Sequence, residues 1–211
     1  MKRDSLVSLF EHIHPGYVPE TSARISFTFC LGGLATTMFL AEILTGALLM
    51  LYYYPSISSA YPSVQRIMYF APYGFVFRNI HYWAGQLLVI LVLLHMVRVF
   101  LTGSYLPPRQ LNWVIGAILL LFVFVEDFTG YLLIWDERAL WAWTIARNLT
   151  DRIPFFGKEF ALVLFGPPDV SDLSLVRLYA WHVLILPAIM FFMMSLHYWK
   201  IRREGGISIP L

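Results

Sequence analysis

Long apolar stretches alternate with short polar connections along most of this chain. A helix needs about 20 mostly apolar residues to cross the hydrocarbon core of a bilayer. Tyrosine and tryptophan cluster at several ends of the apolar stretches, as is typical of side chains at a membrane interface. The pattern predicts four membrane-spanning helices, named here spans A, B, C and D, at about residues 27–53, 80–101, 113–134 and 178–199.

The connections differ in length and predict structure outside the bilayer. Spans C and D are joined by about 40 residues, a length that predicts surface helices within 136–176. At the start of the chain, Leu6, Leu9, Phe10 and Ile13 recur at helical spacing, which predicts an N-terminal amphipathic surface helix rather than a signal peptide. We expect residues 1–211 to form a single domain.

Composition supports a bilayer as the solvent. Of the 211 residues, 59% are hydrophobic and 13% are charged, whereas ordinary soluble domains carry roughly 25% charged residues. The chain lacks a basic run of the kind that nucleic-acid binding needs. An even number of spans puts both termini on the side of the B–C connection, and the distribution of basic residues predicts that this side is cytoplasmic, the negative side.

Four histidines lie inside the predicted spans. His81 and His95 on span B are 14 residues apart, and His182 and His197 on span D are 15 apart. Both intervals are close to four helical turns, so each pair leaves nearly one face of its helix, with a rise of about 21 to 22 Å. Spans B and D are antiparallel, which puts His81 level with His182 and His95 level with His197.

Two imidazoles facing each other at each of two levels are what two bis-histidyl hemes require. Such hemes have no open coordination position and carry electrons rather than oxygen chemistry. The alternative is that the histidines are core residues hydrogen-bonded to their neighbours. That explanation fits a single histidine better than four histidines at matching depths. A zinc or proton-relay site would need its ligands at one depth. The predicted fold is an all-α integral membrane bundle of four helices holding two stacked b hemes.

Glycines repeat the same interval on the other two spans, where a flat porphyrin would need flanking helices without bulk. Ordinary packing of helices through small residues is the alternative. The two pairs, each separated by 14 residues, are Gly32 with Gly46 on span A and Gly116 with Gly130 on span C.

Two arginines near the ends of span B are candidates to bind the anionic heme propionates. Arg78 precedes His81, and Arg98 lies one turn beyond His95. Both side chains can extend towards the interface and donate charge-assisted hydrogen bonds. The alternative for each is an interfacial anchor.

Motifs in all four spans resemble the cytochrome b and b6 family of quinol-oxidising complexes. The similarity covers nearly the whole chain. Its length and the interval of 15 on span D resemble the split b6 form, in which a separate subunit supplies further helices. The matching segments are CLGG (30–33), TG (45–46), RNIHYWAGQ (78–86), LHMVRVFLTG (94–103), PRQLNW (108–113), FTGYLLIWD (128–136), RLYAWH (177–182) and RREGGISIPL (202–211).

The resemblance implies a diheme cytochrome b subunit of an oxidoreductase that moves electrons between quinol-oxidation and quinone-reduction sites in a Q cycle and contributes to proton translocation. It implies that His81 and His182 hold the heme on the positive side and that His95 and His197 hold the other. Its implied partners are a subunit IV-like membrane protein, a Rieske iron–sulfur protein or a c-type cytochrome or both, a quinone of the menaquinone or plastoquinone type and lipid, in a dimeric complex.

A lone cysteine gains a role from the resemblance. In b6-type proteins, a cysteine before the two glycines of span A attaches a c-type heme on the negative side, and Cys30 holds that position. Without the resemblance, we would interpret Cys30 as a small residue that packs in the core.

Carboxylates depart from the family pattern near the positive side. They are candidate catalytic groups that accept protons from quinol. Alternatively, they pair with Arg78 or Arg138. The three residues are Glu42, Glu126 and Asp127.

Three other classes of membrane protein could have a similar composition. A heme-b membrane anchor of a quinone-linked dehydrogenase or hydrogenase shares the composition but not the paired intervals with the glycines. A proton channel or transporter, or a structural assembly subunit, would be colourless, so visible absorbance distinguishes these classes.

Overall fold

A computed structural model describes residues 29–204, and within them the chain is helical. The amphipathic helix predicted within residues 1–15 and residues 205–211 of the C-terminal segment lie outside the described residues. Between α7 and α8 the helix widens into a π-helical turn, Trp181–Ile185. The eight α-helices are α1 Leu31–Leu49, α2 Ala60–Tyr69, α3 Gly74–Leu101, α4 Gln110–Leu132, α5 Glu137–Asp151, α6 Gly157–Phe165, α7 Asp172–Ala180 and α8 Leu186–Arg203.

Four helical segments are long and apolar enough to cross a membrane. They are α1, α3, α4 and the continuous segment Asp172–Arg203, which joins α7, the π-helical turn and α8. At most 22% of each apolar window is buried within the protein. Most apolar side chains therefore face outward, which is favourable in lipid and costly in water. This confirms the prediction of an all-α multi-pass membrane protein.

Spans B, C and D begin earlier than hydropathy alone indicates, whereas α1 begins at Leu31, later than the predicted start of span A near residue 27. Helix α3 starts at Gly74, after Tyr73 in the left-handed region with φ 56°. Its first turns contain Arg78 and Asn79, whose polarity lowers the hydropathy without interrupting the helix. Asn79 donates a side-chain hydrogen bond of 2.8 Å to the carbonyl of Phe75, so this polar end is built into the helix.

The long connection between α4 and the last span packs against one end of the bundle. Its first helix, α5, is capped by Asp136, whose Oδ1 accepts a 2.8 Å hydrogen bond from the backbone N–H of Ala139. Buried residues of α2, α4, α5, α6 and α7, with two from the turn between α4 and α5, form a cluster that we call the end cluster. Its members are Ala60, Leu132, Leu133, Trp135, Trp143, Phe165, Leu175 and Leu178.

A second buried cluster joins the four spans at mid-height, and we call it the middle layer. Phe39, Leu88, Val123 and Met190 form it, one from each span. Phe39 lies seven residues from both Gly32 and Gly46, and the other members lie similarly half way along their spans. The middle layer therefore separates two levels of the bundle.

Candidate functional site

The four histidines of the spans form two facing pairs. The ring centroids of His81 and His182 are 6.2 Å apart, with an angle of 84° between the ring planes. Those of His95 and His197 are 6.5 Å apart, with an angle of 78°. The pairing is the one that the intervals predict. We call the first pair, beside the end cluster, the upper pair and the second the lower pair.

The π-helical turn explains why span D needs 15 residues where span B needs 14. In an uninterrupted α-helix, an interval of 15 leaves the second residue about 60° away from the first. His182 lies within the turn, which accommodates one extra residue. Pro187 follows at the start of α8, where its missing N–H leaves the carbonyl four residues earlier without an α-helical partner. The turn therefore restores both histidines to one face.

Each predicted glycine lies against an imidazole of the neighbouring span. An ideal Cβ at Gly46 would lie 3.2 Å from Cε1 of His81, and one at Gly130 would lie 2.7 Å from Cε1 of His182. At the lower level, a Cβ at Gly32 would approach His95 to 3.4 Å and one at Gly116 would approach His197 to 3.3 Å. The absence of side chains at these glycines therefore admits the imidazole rings between closely packed helices.

Two threonines determine the tautomer of the upper pair. Thr45 donates its hydroxyl hydrogen to the carbonyl of Ala41 at 2.6 Å, and its oxygen lies 3.0 Å from Nδ1 of His81. Thr129 bonds the carbonyl of Glu126 at 2.9 Å and lies 3.2 Å from Nδ1 of His182. A hydroxyl has one hydrogen, so each imidazole donates from Nδ1–H. The lone pair of each neutral ring is then on Nε2.

Carboxylates contact the same two nitrogens. Oε2 of Glu42 lies 3.0 Å from Nδ1 of His81, and Oε1 of Glu126 lies 3.2 Å from Nδ1 of His182. Asp127 instead accepts a 3.1 Å hydrogen bond from Gln86. The alternative of pairing with arginines is not what the structure has, because Arg78 donates to the sulfur of Met68 and Arg138 is exposed on α5.

Sequence reasoning missed the threonines and the repeated segment that contains them. The segments EILTG (42–46) and EDFTG (126–130) share the pattern E-x-x-T-G. In a helix, the glutamate, threonine and glycine at these spacings lie on one face. Comparison of spans A and C would have revealed this repeat and its association with the upper pair.

A cavity of about 120 Å³ adjoins the lower pair. His95 and His197 line it together with the middle layer and with small residues Gly32 and Gly116. At its rim, the hydroxyls of Thr36 and Tyr198 are hydrogen-bonded. The cavity is mostly apolar, lies between all four spans and adjoins both imidazoles of the lower pair.

Comparison with known proteins identifies the family. The sequence model described as Cytochrome b/b6/petB matches residues 18–205. The chain belongs to the cytochrome b/b6 family. A similar solved structure, titled "Hyperthermophilic respiratory Complex III", has 31% sequence identity and a TM-score of 0.77 over 87% of this chain. The match covers 49% of that chain, so this cytochrome b/b6 member spans about half the length of its solved relative.

The histidine pairs fit the b hemes that this family implies. A metal–imidazole bond is about 2 Å long, and roughly 1 Å more separates the nitrogen from the ring centre. Two imidazoles on opposite sides of one iron therefore have centroids roughly 6 Å apart. The observed 6.2 and 6.5 Å match this separation, and the bare Nε2 atoms of the upper pair are of the required donor type.

The remaining predicted residues lie at the two ends of the site. Arg78 and Arg98 are half-buried near opposite ends of α3. Cys30 is exposed at the start of α1, in the left-handed region with φ 52°. Gly32, two residues further, faces His95, so Cys30 lies at the end of the bundle that contains the lower pair.

Proposed function

We propose that this chain is the heme-bearing part of the cytochrome b subunit in a bc-type, complex III-like quinol-oxidising complex, with residues 1–211 as one domain. The observation that carries the proposal is the two facing imidazole pairs at two levels of four membrane spans. The similarity to a chain titled as respiratory Complex III supports it, and a subunit IV-like membrane protein is part of the proposal as a partner.

His81 with His182 and His95 with His197 would hold the iron of the two hemes. When bound, the hemes supply one-electron transfer across the hydrocarbon core. Thr45 and Thr129 keep Nδ1 protonated, so that Nε2 is free to bind metal. The middle layer excludes water between the two levels, and Arg78 and Arg98 are suited to bind propionates at the two ends.

Quinol is the substrate that we assign to the complex. Oxidation of quinol at the positive side would release two protons and two electrons there. One electron would pass to a Rieske protein or c-type cytochrome, and the other would cross the bilayer towards quinone at the negative side. Glu42, Glu126 and Asp127 are polar groups beside the upper pair and are candidates to accept protons. A quinone of the menaquinone or plastoquinone type, lipid and a dimeric assembly complete the proposal.

Cys30 is a candidate attachment point for a third, c-type heme. Its exposure at the end of α1 nearest the lower pair supports this role. A thiol there is accessible for a thioether bond, and the open surface leaves room for a group outside the four spans.

The termini would lie on the cytoplasmic side. Ser58 is exposed in the connection between α1 and α2, and Gln110 is exposed as the first residue of α4, at the opposite end of the bundle. Labelling of intact cells with an impermeant maleimide should then reach Ser58→Cys and spare Gln110→Cys. The reverse pattern would invert the proposed orientation.

The function is tested by a heme assay on the purified complex. A pyridine hemochrome spectrum should show two extractable b hemes for this chain, and heme staining after denaturing electrophoresis should remain on it and disappear with Cys30→Ala. Two b hemes without the stain would remove the c-type heme and keep the electron path. A complex without heme would overturn the proposed function.

A further inference from the structure

Both imidazoles of the upper pair have a glutamate carboxylate within ion-pair distance of Nδ1. The distances are 3.0 Å from Glu42 to His81 and 3.2 Å from Glu126 to His182. Glu42 and Glu126 are 18% and 19% exposed, so both carboxylates lie largely within the protein. The E-x-x-T-G repeat puts one such carboxylate on α1 and one on α4, so each imidazole of the pair has its own carboxylate.

The lower pair has a different environment. The residue 14 positions before Glu126 is Asn112, a buried neutral amide. In the described range 29–204, carboxylates lie within ion-pair distance of imidazoles only at the upper pair. The cavity beside His95 and His197 is lined by apolar, glycine, threonine, tyrosine and histidine residues. The two levels therefore share ligand type but differ in the charge next to the ligands.

We propose that Glu42 and Glu126 are positioning residues that lower the reduction potential of the heme held by His81 and His182. The inference rests on the proposed heme ligation and deepens it. A carboxylate that shares the Nδ1–H hydrogen with the threonine oxygen makes the imidazole a more basic, more electron-donating ligand. Greater donation, together with nearby negative charge, stabilises the ferric iron relative to the ferrous iron.

The site strengthens this effect in two ways. The hydrogen bonds lie in a low-dielectric part of the bundle, where the electrostatic contribution of each is larger than in water. The threonines bond the same Nδ1 atoms from the same helices, so they hold each ring in the orientation that the carboxylates require. Two carboxylates on opposite ligands of one iron act on it in the same direction.

The test is a redox titration of the purified complex, with each b heme followed by its visible absorption band. Glu42→Gln and Glu126→Gln keep the side-chain shape and remove the charge. Each should shift the oxidised-to-reduced ratio of one heme about tenfold towards the reduced form, a rise in potential of about 59 mV for one electron. The double variant should shift it further, and the second heme should be unchanged in all three.

Asp127→Asn is the matched control, because it removes a neighbouring carboxylate that bonds the amide of Gln86 and not an imidazole. It should shift the potential less than either glutamate variant. An equal shift would assign the effect to general charge and overturn the proposal, as would unchanged potentials or loss of the heme in both glutamate variants. Absence of b hemes from the unmodified complex would instead overturn the proposed function.

Discussion

A single hydrogen atom on each threonine hydroxyl decides which nitrogen of His81 and His182 is available to a metal. Thr45 and Thr129 both donate that hydrogen to a backbone carbonyl of their own helix. Their oxygens can then only accept from the imidazoles, which fixes the Nδ1–H tautomer. The same bond to a backbone carbonyl stabilises a polar side chain inside a membrane span. At the scale of the residue, the same hydroxyl group therefore satisfies its own hydrogen bond within the helix and orients the neighbouring imidazole.

Gly130→Ala should remove the heme of the upper pair. The added Cβ would lie 2.7 Å from Cε1 of His182, a separation that forces the ring to move, and a ring that binds iron cannot do so without losing its bond geometry. We expect the ratio of b heme to protein to fall by about half in the pyridine hemochrome assay.

Gly33→Ala is the control for that substitution. A Cβ at Gly33 meets no atom within 4 Å, and alanine stabilises a helix by about 0.5 to 1 kcal/mol relative to glycine. Its heme content should equal that of the unmodified protein. Full heme in Gly130→Ala, or equal losses in the two variants, would contradict the steric argument.

The histidines and glycines of the candidate site could be predicted from the sequence, because ionisable residues such as histidine are rare in membrane spans and the glycine pairs repeat the interval of 14 between His81 and His95. Their hydrogen-bond partners were not found so readily. Threonine is common in spans, and the side of α1 that carries Thr45 becomes known only when α1 is packed against α3. The contacts of Glu42 and Glu126 with imidazoles, rather than with arginines, depend on the same rotation of the helices.

At the scale of the element, the last span shows how one helix accommodates an interval that does not fit its own period. The π-helical turn at Trp181–Ile185 contains His182 and ends two residues before Pro187. Hydropathy predicts a continuous helix here, because it reports apolarity and not hydrogen-bond register. The interval of 15 was visible in the sequence, and the compensating turn follows from comparing it with the 14 of α3.

Removal of the extra residue from this turn should be tolerated. Deletion of Leu184, which is 67% exposed, shortens the interval between His182 and His197 to that of α3 and allows regular α-helical hydrogen bonds. We expect two b hemes per chain, measured by hemochrome spectroscopy.

Insertion of one alanine after Leu184 should have the opposite result. An interval of 16 turns one histidine about 160° away from the face of the other in a regular helix, and a second extra residue exceeds what one π-helical turn absorbs. We expect loss of one b heme. If the deletion loses heme while the insertion retains it, the turn has a role other than register.

At the scale of the whole molecule, the two buried clusters stabilise different parts of the fold. The middle layer holds the four spans together between the two histidine pairs, and the end cluster closes the bundle beside the upper pair. The outer surface of the spans is apolar and meets lipid or other subunits. Sequence patterns predicted the spans. They did not predict the members of the end cluster, because these depend on contacts between residues far apart in the chain, such as Ala60 and Phe165.

Trp143→Ala should destabilise the protein through the end cluster. Trp143 is 2% exposed and its ring lies edge-to-face with that of Trp135, at a centroid distance of 6.2 Å. Loss of a buried tryptophan costs about 3 to 5 kcal/mol. We expect a lower temperature of thermal unfolding in detergent and faster proteolysis within the connection that contains α5.

Trp141→Ala, two positions away at 62% exposure, should change stability by less than about 0.5 kcal/mol. Equal destabilisation by both variants would mean that the connection is held by its outer surface, through lipid or a partner subunit, and not by the cluster.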